Sequence, residues 1–316
     1  MRLATYIDNP IDNNAPIAGV LGADETLTAA RTLVPDAPAD MIGIIEAGPE
    51  LWDRLRAAAA SARNGTPLAG VRLLAPIPHP RRDVFAVGWN YLEHFEEGRG
   101  MRGGQDDAVE IPEYPALFSK LPETVVGPEA PVWYSAPHSQ ELDWEVELAV
   151  VIGRSGRDIA EADSLSHVFG YTIANDVSVR DVQRRHGGQW FKGKNFDSHC
   201  PMGPWIVTAD EIRDPQNLNL STKVNGVIKQ DSNTRFMVYQ LPRIIHEFSL
   251  GVMLKPGDLI ITGTPSGVGF ARKPPEFLHP GDEMELEIEK IGILRNTVVQ
   301  YSAQAAQAVT ATVAAS

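Results

Sequence analysis

The stretch Leu142-Asp143-Trp144-Glu145-Val146-Glu147-Leu148, which runs straight into Ala149-Val150-Val151-Ile152, constrains this chain more than any other. It reads as a β-strand over 142–153, in which successive side chains point to opposite faces. Trp144, Val146 and Leu148 then share one face, and Asp143, Glu145 and Glu147 share the other. Two unit charges 4 Å apart repel by about 4 kcal/mol at an effective dielectric near 20. Either the three acids line a solvated strand edge, or a bound divalent cation offsets their repulsion. Asp176, which closes the apolar strand carrying Tyr171 and Ile173, is a third candidate ligand, or else a helix N-cap. Oxygen donors with no His or Cys nearby select Mg²⁺, Mn²⁺ or Ca²⁺ over Zn²⁺.

Three further blocks carry chemistry. In Gly88-Trp89-Asn90-Tyr91-Leu92-Glu93-His94-Phe95-Glu96-Glu97 a strand end leads into a short helix, which places His94 and Glu97 on one helical face. A carboxylate oriented on an imidazole makes a general base for water; the plain alternative is a surface histidine, one of eight. The block Gln189-Trp190-Phe191-Lys192-Gly193-Lys194-Asn195-Phe196-Asp197 sets two lysines among aromatics. They either stabilise an oxyanion or enolate or snorkel over the rings to solvent. Finally, Thr262-Gly263-Thr264-Pro265-Ser266-Gly267-Val268-Gly269 is a strand end with a Gly-rich turn. It lacks the P-loop and dinucleotide fingerprints, but its amides and Thr264 suit a small carboxylate.

Around these blocks the chain is β-rich. Strands are expected at Arg2–Asp8, Ile17–Leu21, 83–88, 170–174, 204–208, 221–225, 258–262 and 283–288, with a hairpin turn at Asn225-Gly226. Helices are expected over 49–62, with Leu51, Leu55 and Ala58 at helical spacing and Arg63-Asn64-Gly65 as the stop, then after Asn90, near 163–169 and near 241–250. Three prolines in Pro76-Ile77-Pro78-His79-Pro80 mark a boundary, giving a small N-terminal accessory domain over 1–78 and a catalytic domain over 79–316. Residues 302–316 read as a terminal appendage, and the glycine-bearing segment 92–114 as a mobile lid. The formal charge of −13 and the absence of a basic run disfavour nucleic acid as a partner. No apolar run is long enough to span a bilayer, and the first residues are unlike a signal peptide. One cysteine, Cys200, makes no intrachain disulfide. A cytoplasmic enzyme is the expectation.

Together the blocks resemble the fumarylacetoacetate hydrolase family, in its domain-containing branch with an extra N-terminal segment. The resemblance runs from Asp83 to Val299. It rests on Gly88-x-Asn90-Tyr91-x-x-His94-x-x-Glu97, on Asp143 to Gly153, and on Asp176-Val177-Ser178-x-Arg180-Asp181. Gly193-Lys194-x-Phe196-Asp197-x-x-Cys200-Pro201 and Thr262-Gly263-Thr264-Pro265-x-Gly267-Val268-Gly269 complete it. The resemblance implies a β-rich α+β fold, a mixed β-sandwich roll, and a homodimer. It implies Mg²⁺ or Mn²⁺, with Ca²⁺ possible, on Glu145, Glu147 and Asp176, and His94 with Glu97 as a water-activating pair. Lys194, with Arg180 and Gln183, would stabilise an oxyanion or carbanion, and Thr264 would touch a substrate carboxylate. The expected activity is hydrolysis of a C–C bond in an acylpyruvate-like 2,4-dioxo acid, a small-molecule oxo-acid substrate. The alternatives are an oxaloacetate decarboxylase or keto–enol tautomerase on the same site, and a non-catalytic metal-bound ligand-binding module. Trp89, the long segment 98–114 and the extra cation Lys192 depart from the family pattern where substrate is chosen.

Overall fold

Strand Val146–Ile152 is apolar apart from Glu147 because both of its faces are covered. The computed structural model describes residues 1–8, 15–62, 65–101 and 110–302. Among them the larger sheet holds twelve strands, with Val146–Ile152 in its interior. On one side this strand pairs antiparallel with Val168–Asn175, beyond which lies Cys200–Thr208. On the other it pairs with Leu259–Ile261, followed by Val84–Gly88 and the edge strand Ala116–Lys120. Val146, Leu148, Val150 and Ile152 share a core with Leu220, Val224, Leu286 and Ile288 of a second, five-stranded sheet. Helix Leu241–Ser249 adds Leu241, Ile244, Ile245 and Phe248 to that core at helical spacing. Ala149 and Val151 meet the opposite core, built with Ile44, Ile45 and Leu55 from the N-terminal helices. Each large aliphatic side chain buried this way contributes about 1.5–3 kcal/mol. The fold is a β-rich α+β arrangement with mixed sheets.

The strand expected over 142–153 is interrupted. Leu142–Asp143 pairs with Ser178–Val179 as a separate short ladder, and pairing in the main sheet resumes at Val146. Side chains take the place of ladder partners at the break: Asn175 Oδ1 accepts from the Glu145 N–H at 3.0 Å and Gln230 Oε1 from the Val146 N–H at 3.0 Å.

The boundary placed at 78 is not a break in the sheet. Arg2–Asp8 pairs antiparallel with Cys200–Thr208, and Trp52 of helix Pro49–Ser61 packs edge-on against Phe169 at 4.8 Å. The N-terminal strands thus extend the sheet that carries the site. The hairpin is as expected: Asn219–Val224 and Val227–Asn233 turn through Asn225 and Gly226, whose φ values of 51° and 75° are those of a type I′ turn. The element near 163–169 is a 3₁₀ segment, Glu161–His167. Short helices at Met41–Glu46, Arg180–Arg185 and Phe191–Lys194, and strands Ala116–Lys120, Val132–Tyr134 and Gly292–Gln300, were not anticipated. Residues 63–64 of the helix stop, 102–109 of the lid segment and 303–316 of the appendage lie outside the described residues.

Candidate active site

The interruption at residue 145 is what builds the site. Freed from the ladder, Glu145 is tied by its backbone to the end of Val168–Asn175: its carbonyl accepts from the Asp176 N–H at 3.0 Å. Glu147 follows on the central strand. Glu145, Glu147 and Asp176 are all buried, and they bring one carboxylate oxygen each within 4.8 Å of one another.

Buried cations partly balance these acids. Lys194 Nζ donates to Glu145 Oε2 at 2.9 Å and to Asp176 Oδ2 at 2.6 Å. Lys120 Nζ donates to Asp176 Oδ1 at 2.6 Å and to the Val177 carbonyl at 3.2 Å. Arg180 Nη2 stands 2.6 Å from Glu145 Oε1, and its Nη1 donates to Gln183 Oε1 at 3.2 Å. Glu147 has less support, a single backbone N–H from Gly263 at 2.7 Å. Burial, then the charges of Asp176 and Glu145, push its pKa well above the usual carboxylate range. Burial acts on Glu145 too, but Lys194, Arg180 and His94 outweigh it and hold its pKa below that range. Lys194, which burial alone would discharge, is kept charged by Asp176 and Glu145.

Asp143 does not join this group. It accepts from Arg180 Nε at 2.7 Å and from the backbone N–H groups of Trp144, Gly269 and Phe270 at 2.9, 2.7 and 3.0 Å. The expected face of three acids therefore splits, two turning to the site and one to a closed pocket of donors.

The dyad forms as expected. On helix Leu92–Glu97, His94 Nδ1 lies 2.8 Å from Glu97 Oε1, and Glu97 Oε2 accepts from the Gly267 N–H at 2.8 Å. An ionised carboxylate only accepts, so Nδ1 carries the proton and Nε2 is left as the basic atom. This helix is held down on the site: Phe95 is buried, Trp89 meets it edge-on at 5.7 Å, and Ser266 Oγ donates to Glu93. The Gly-rich turn was expected to offer its amides to a ligand carboxylate. Instead Gly263, Gly267 and Gly269 give theirs to Glu147, Glu97 and Asp143.

Thr264 lines the cleft, but its hydroxyl donates to the Val146 carbonyl at 3.0 Å and accepts from Gln230 Nε2 at 2.8 Å. Gln183 also lines it, with its carbonyl end turned to Arg180. The two lysines of 189–197 part company. Lys194 is buried in the site, whereas Lys192 is exposed and stands over the Phe196 ring at 5.1 Å. Lys120 and Gln230 are the residues that sequence reading missed. The signal for Lys120 was its place at the end of the strand carrying Phe118; Gln230, inside a polar hairpin strand, gave none.

The cleft encloses about 540 Å³, with Trp89, Phe118, Trp190 and Phe270 as aromatic walls and the triad, His94 and Lys194 among its polar lining. Three buried oxygen donors that are short of positive charge fit a hard divalent cation. A cation there would supply what Glu147 lacks. An acid–base pair, buried ammonium groups and a cation site in one cleft suit proton transfer next to a carbonyl.

A sequence model of the family described as Fumarylacetoacetate (FAA) hydrolase C-terminal matches residues 83–299. The rat (Rattus norvegicus) protein "Oxaloacetate tautomerase Fahd2a, mitochondrial" is 44% identical over 269 residues, 85% of this chain and 82% of its own. "Oxaloacetate tautomerase YisK" of Bacillus subtilis (strain 168) is 44% identical over 231 residues, 73% of this chain and 74% of its own. Among solved structures, maleylpyruvate hydrolase from Sphingobium sp. SYK-6, in complex with manganese (II) ion and pyruvate, superposes with a TM-score of 0.76 at 32% identity. That superposition covers 96% of this chain and all of the other. With its sequence, fold and site geometry in agreement, the chain belongs to the fumarylacetoacetate hydrolase family.

Proposed function

We propose that the cleft interconverts the keto and enol forms of a small 2-oxo dicarboxylic acid of the oxaloacetate kind. The observation that carries this reading is the 44% identity, over 85% of the chain, to the rat oxaloacetate tautomerase. Glu145, Glu147 and Asp176 would hold Mg²⁺ or Mn²⁺, which when bound acts as a Lewis acid toward a 2-oxo group. His94, oriented by Glu97, takes a proton from the carbon next to that group through Nε2 and returns it to either end of the enol system. Lys194 faces the developing negative charge as an ammonium already in place, so no solvent has to reorganise. The aromatic walls keep water from the transferred proton.

A second reading, hydrolysis of a 2,4-dioxo acid of the acylpyruvate type, is favoured by the intact His94–Glu97 pair, which equally suits activation of water, and by the likeness to the Sphingobium maleylpyruvate hydrolase. One assay separates the two. Loss of enol absorbance is followed for oxaloacetate and for a panel of acylpyruvates, with Mg²⁺, with Mn²⁺ and after chelation. Metal-dependent turnover of oxaloacetate with inert acylpyruvates supports tautomerisation; metal-dependent cleavage of an acylpyruvate with inert oxaloacetate replaces it with hydrolysis. In either case His94→Ala should slow turnover about 10²–10⁴-fold and leave the calorimetric metal affinity at its wild-type value.

A further inference from the structure

The cleft contains a second arginine to which the reading above gives no role. Arg184 lies one helical turn after Arg180, and both guanidinium groups stand over the Phe270 ring, at 5.3 and 4.6 Å from its centroid. Their surroundings differ. Arg180 is 4% exposed and divided among Asp143, Glu145 and Gln183. Arg184 lines the same cleft at 31% exposure, with Glu141 at 3.9 Å, the outer limit of an ion pair. The lysines and Arg180 are occupied with the protein's own acids, so Arg184 is the cation that meets the cleft from its solvent side.

We propose that Arg184 receives the second carboxylate of the substrate, so that the cleft selects 2-oxo acids with a carboxylate at the far end of a short chain. The inference rests on the oxo-acid reading of the triad. A guanidinium binds a carboxylate through two parallel hydrogen bonds, and stacking on Phe270 holds the fork in place before the ligand arrives. The reach is consistent. One helical turn displaces Arg184 by about 5.4 Å from Arg180, which itself touches Glu145. Three extended bonds, the span between the carboxylates of a four-carbon diacid, cover about 3.8 Å, and a hydrogen bond supplies the remainder.

The tryptophan wall keeps the reach short. Trp89 has a φ of 55°, in the left-handed region that bulky side chains seldom adopt. Its ring meets Trp190 edge-on at 4.9 Å. Trp190 in turn lies directly on Gly88, where a Cβ would come within 2.1 Å of the indole. A longer chain would have to displace two interlocked rings.

The test uses the full chain loaded with Mn²⁺ and two ligands that cannot enolise, 2-oxo-3,3-dimethylsuccinate and 3,3-dimethyl-2-oxobutanoate. They differ by a carboxylate in place of a methyl group. Calorimetry reads both affinities for the wild-type chain, Arg184→Met and Arg184→Lys. The wild-type chain should prefer the diacid by about tenfold or more. Arg184→Met should lose that preference while binding the monoacid as before, and Arg184→Lys should keep part of it. Equal binding of the two ligands by the wild-type chain overturns the proposal, and so does a preference that survives in Arg184→Met. A chain that shows the preference but does not tautomerise oxaloacetate supports Arg184 as the carboxylate reader and removes the proposed reaction. The reverse pattern removes the role of Arg184 alone.

Discussion

Asp143 and Glu147 lie four residues apart on one stretch of chain, and both are removed from solvent. Asp143 is met by a guanidinium and three backbone N–H groups. Glu147 is met by one N–H and by two other acids, and its pKa rises from burial and from their charges. Burial alone therefore does not mark a reactive acid. What marks it is a shortage of donors around a buried oxygen, because that shortage is what a cation or a proton can fill.

The largest effect is expected on the side that is short of donors. Glu147→Gln should lower turnover about a thousandfold, since the metal supplies several kcal/mol of charge stabilisation, and should weaken Mn²⁺ binding in parallel. Wild-type Mn²⁺ affinity in this variant, read by calorimetry, would remove Glu147 from the ligand set. On the satisfied side the loss should be of stability. Asp143→Asn leaves Arg180 buried without its main partner and should cost about 3–5 kcal/mol. Urea unfolding of the chelated protein measures it, and a change below about 1 kcal/mol would mean that Arg180 finds other compensation.

The smallest effect is one of pH. Because the pKa of Glu147 is raised above its model value of 4.5, its contribution to stability is complete below that value. The contribution is lost as pH rises through the raised pKa, where the folded state must give up the proton. Metal binding has the opposite slope, since Mn²⁺ takes the charged form and displaces the proton. Melting temperatures of the chelated protein, wild type against Glu147→Gln, should diverge with rising pH in the variant's favour. Parallel curves from pH 4.5 to pH 8 would sink the idea.

Much of this site could be read from residue order because its chemistry is local. His94 and Glu97 meet across one helical turn, and Glu145 and Glu147 keep the period of a strand, so spacing alone predicts both pairs. The misses are long-range. Lys120 ends an edge strand, where a lysine ordinarily faces water; only Asp176, 56 residues on, makes its burial tolerable. Gln230 sits in a hairpin strand whose role depends on the Val146 N–H and Thr264 beside it. The break at residue 145 was invisible for the same reason: Asn175 and Gln230 replace the ladder there, and alternation gives no sign of a partner that is a side chain. The N-terminal segment looked separate because prolines end its pattern, yet strand pairing across the boundary is decided by Arg2–Asp8 finding Cys200–Thr208.

The Gly-rich turn over 263–269 has a consequence for changing this protein. It holds Glu147, Glu97 and Asp143 through main-chain donors, which no substitution of a turn side chain deletes. The same arrangement couples the three: a shift of the turn backbone moves a cation ligand, the partner of the base and a structural acid at once. Selection for a new substrate has little freedom there, because each improvement at one acid is a disturbance at the other two. Helix Arg180–Arg185 presents side chains to the cleft and can be altered one position at a time. A library aimed at new specificity belongs on that helix and on Trp89, with the turn left as it is.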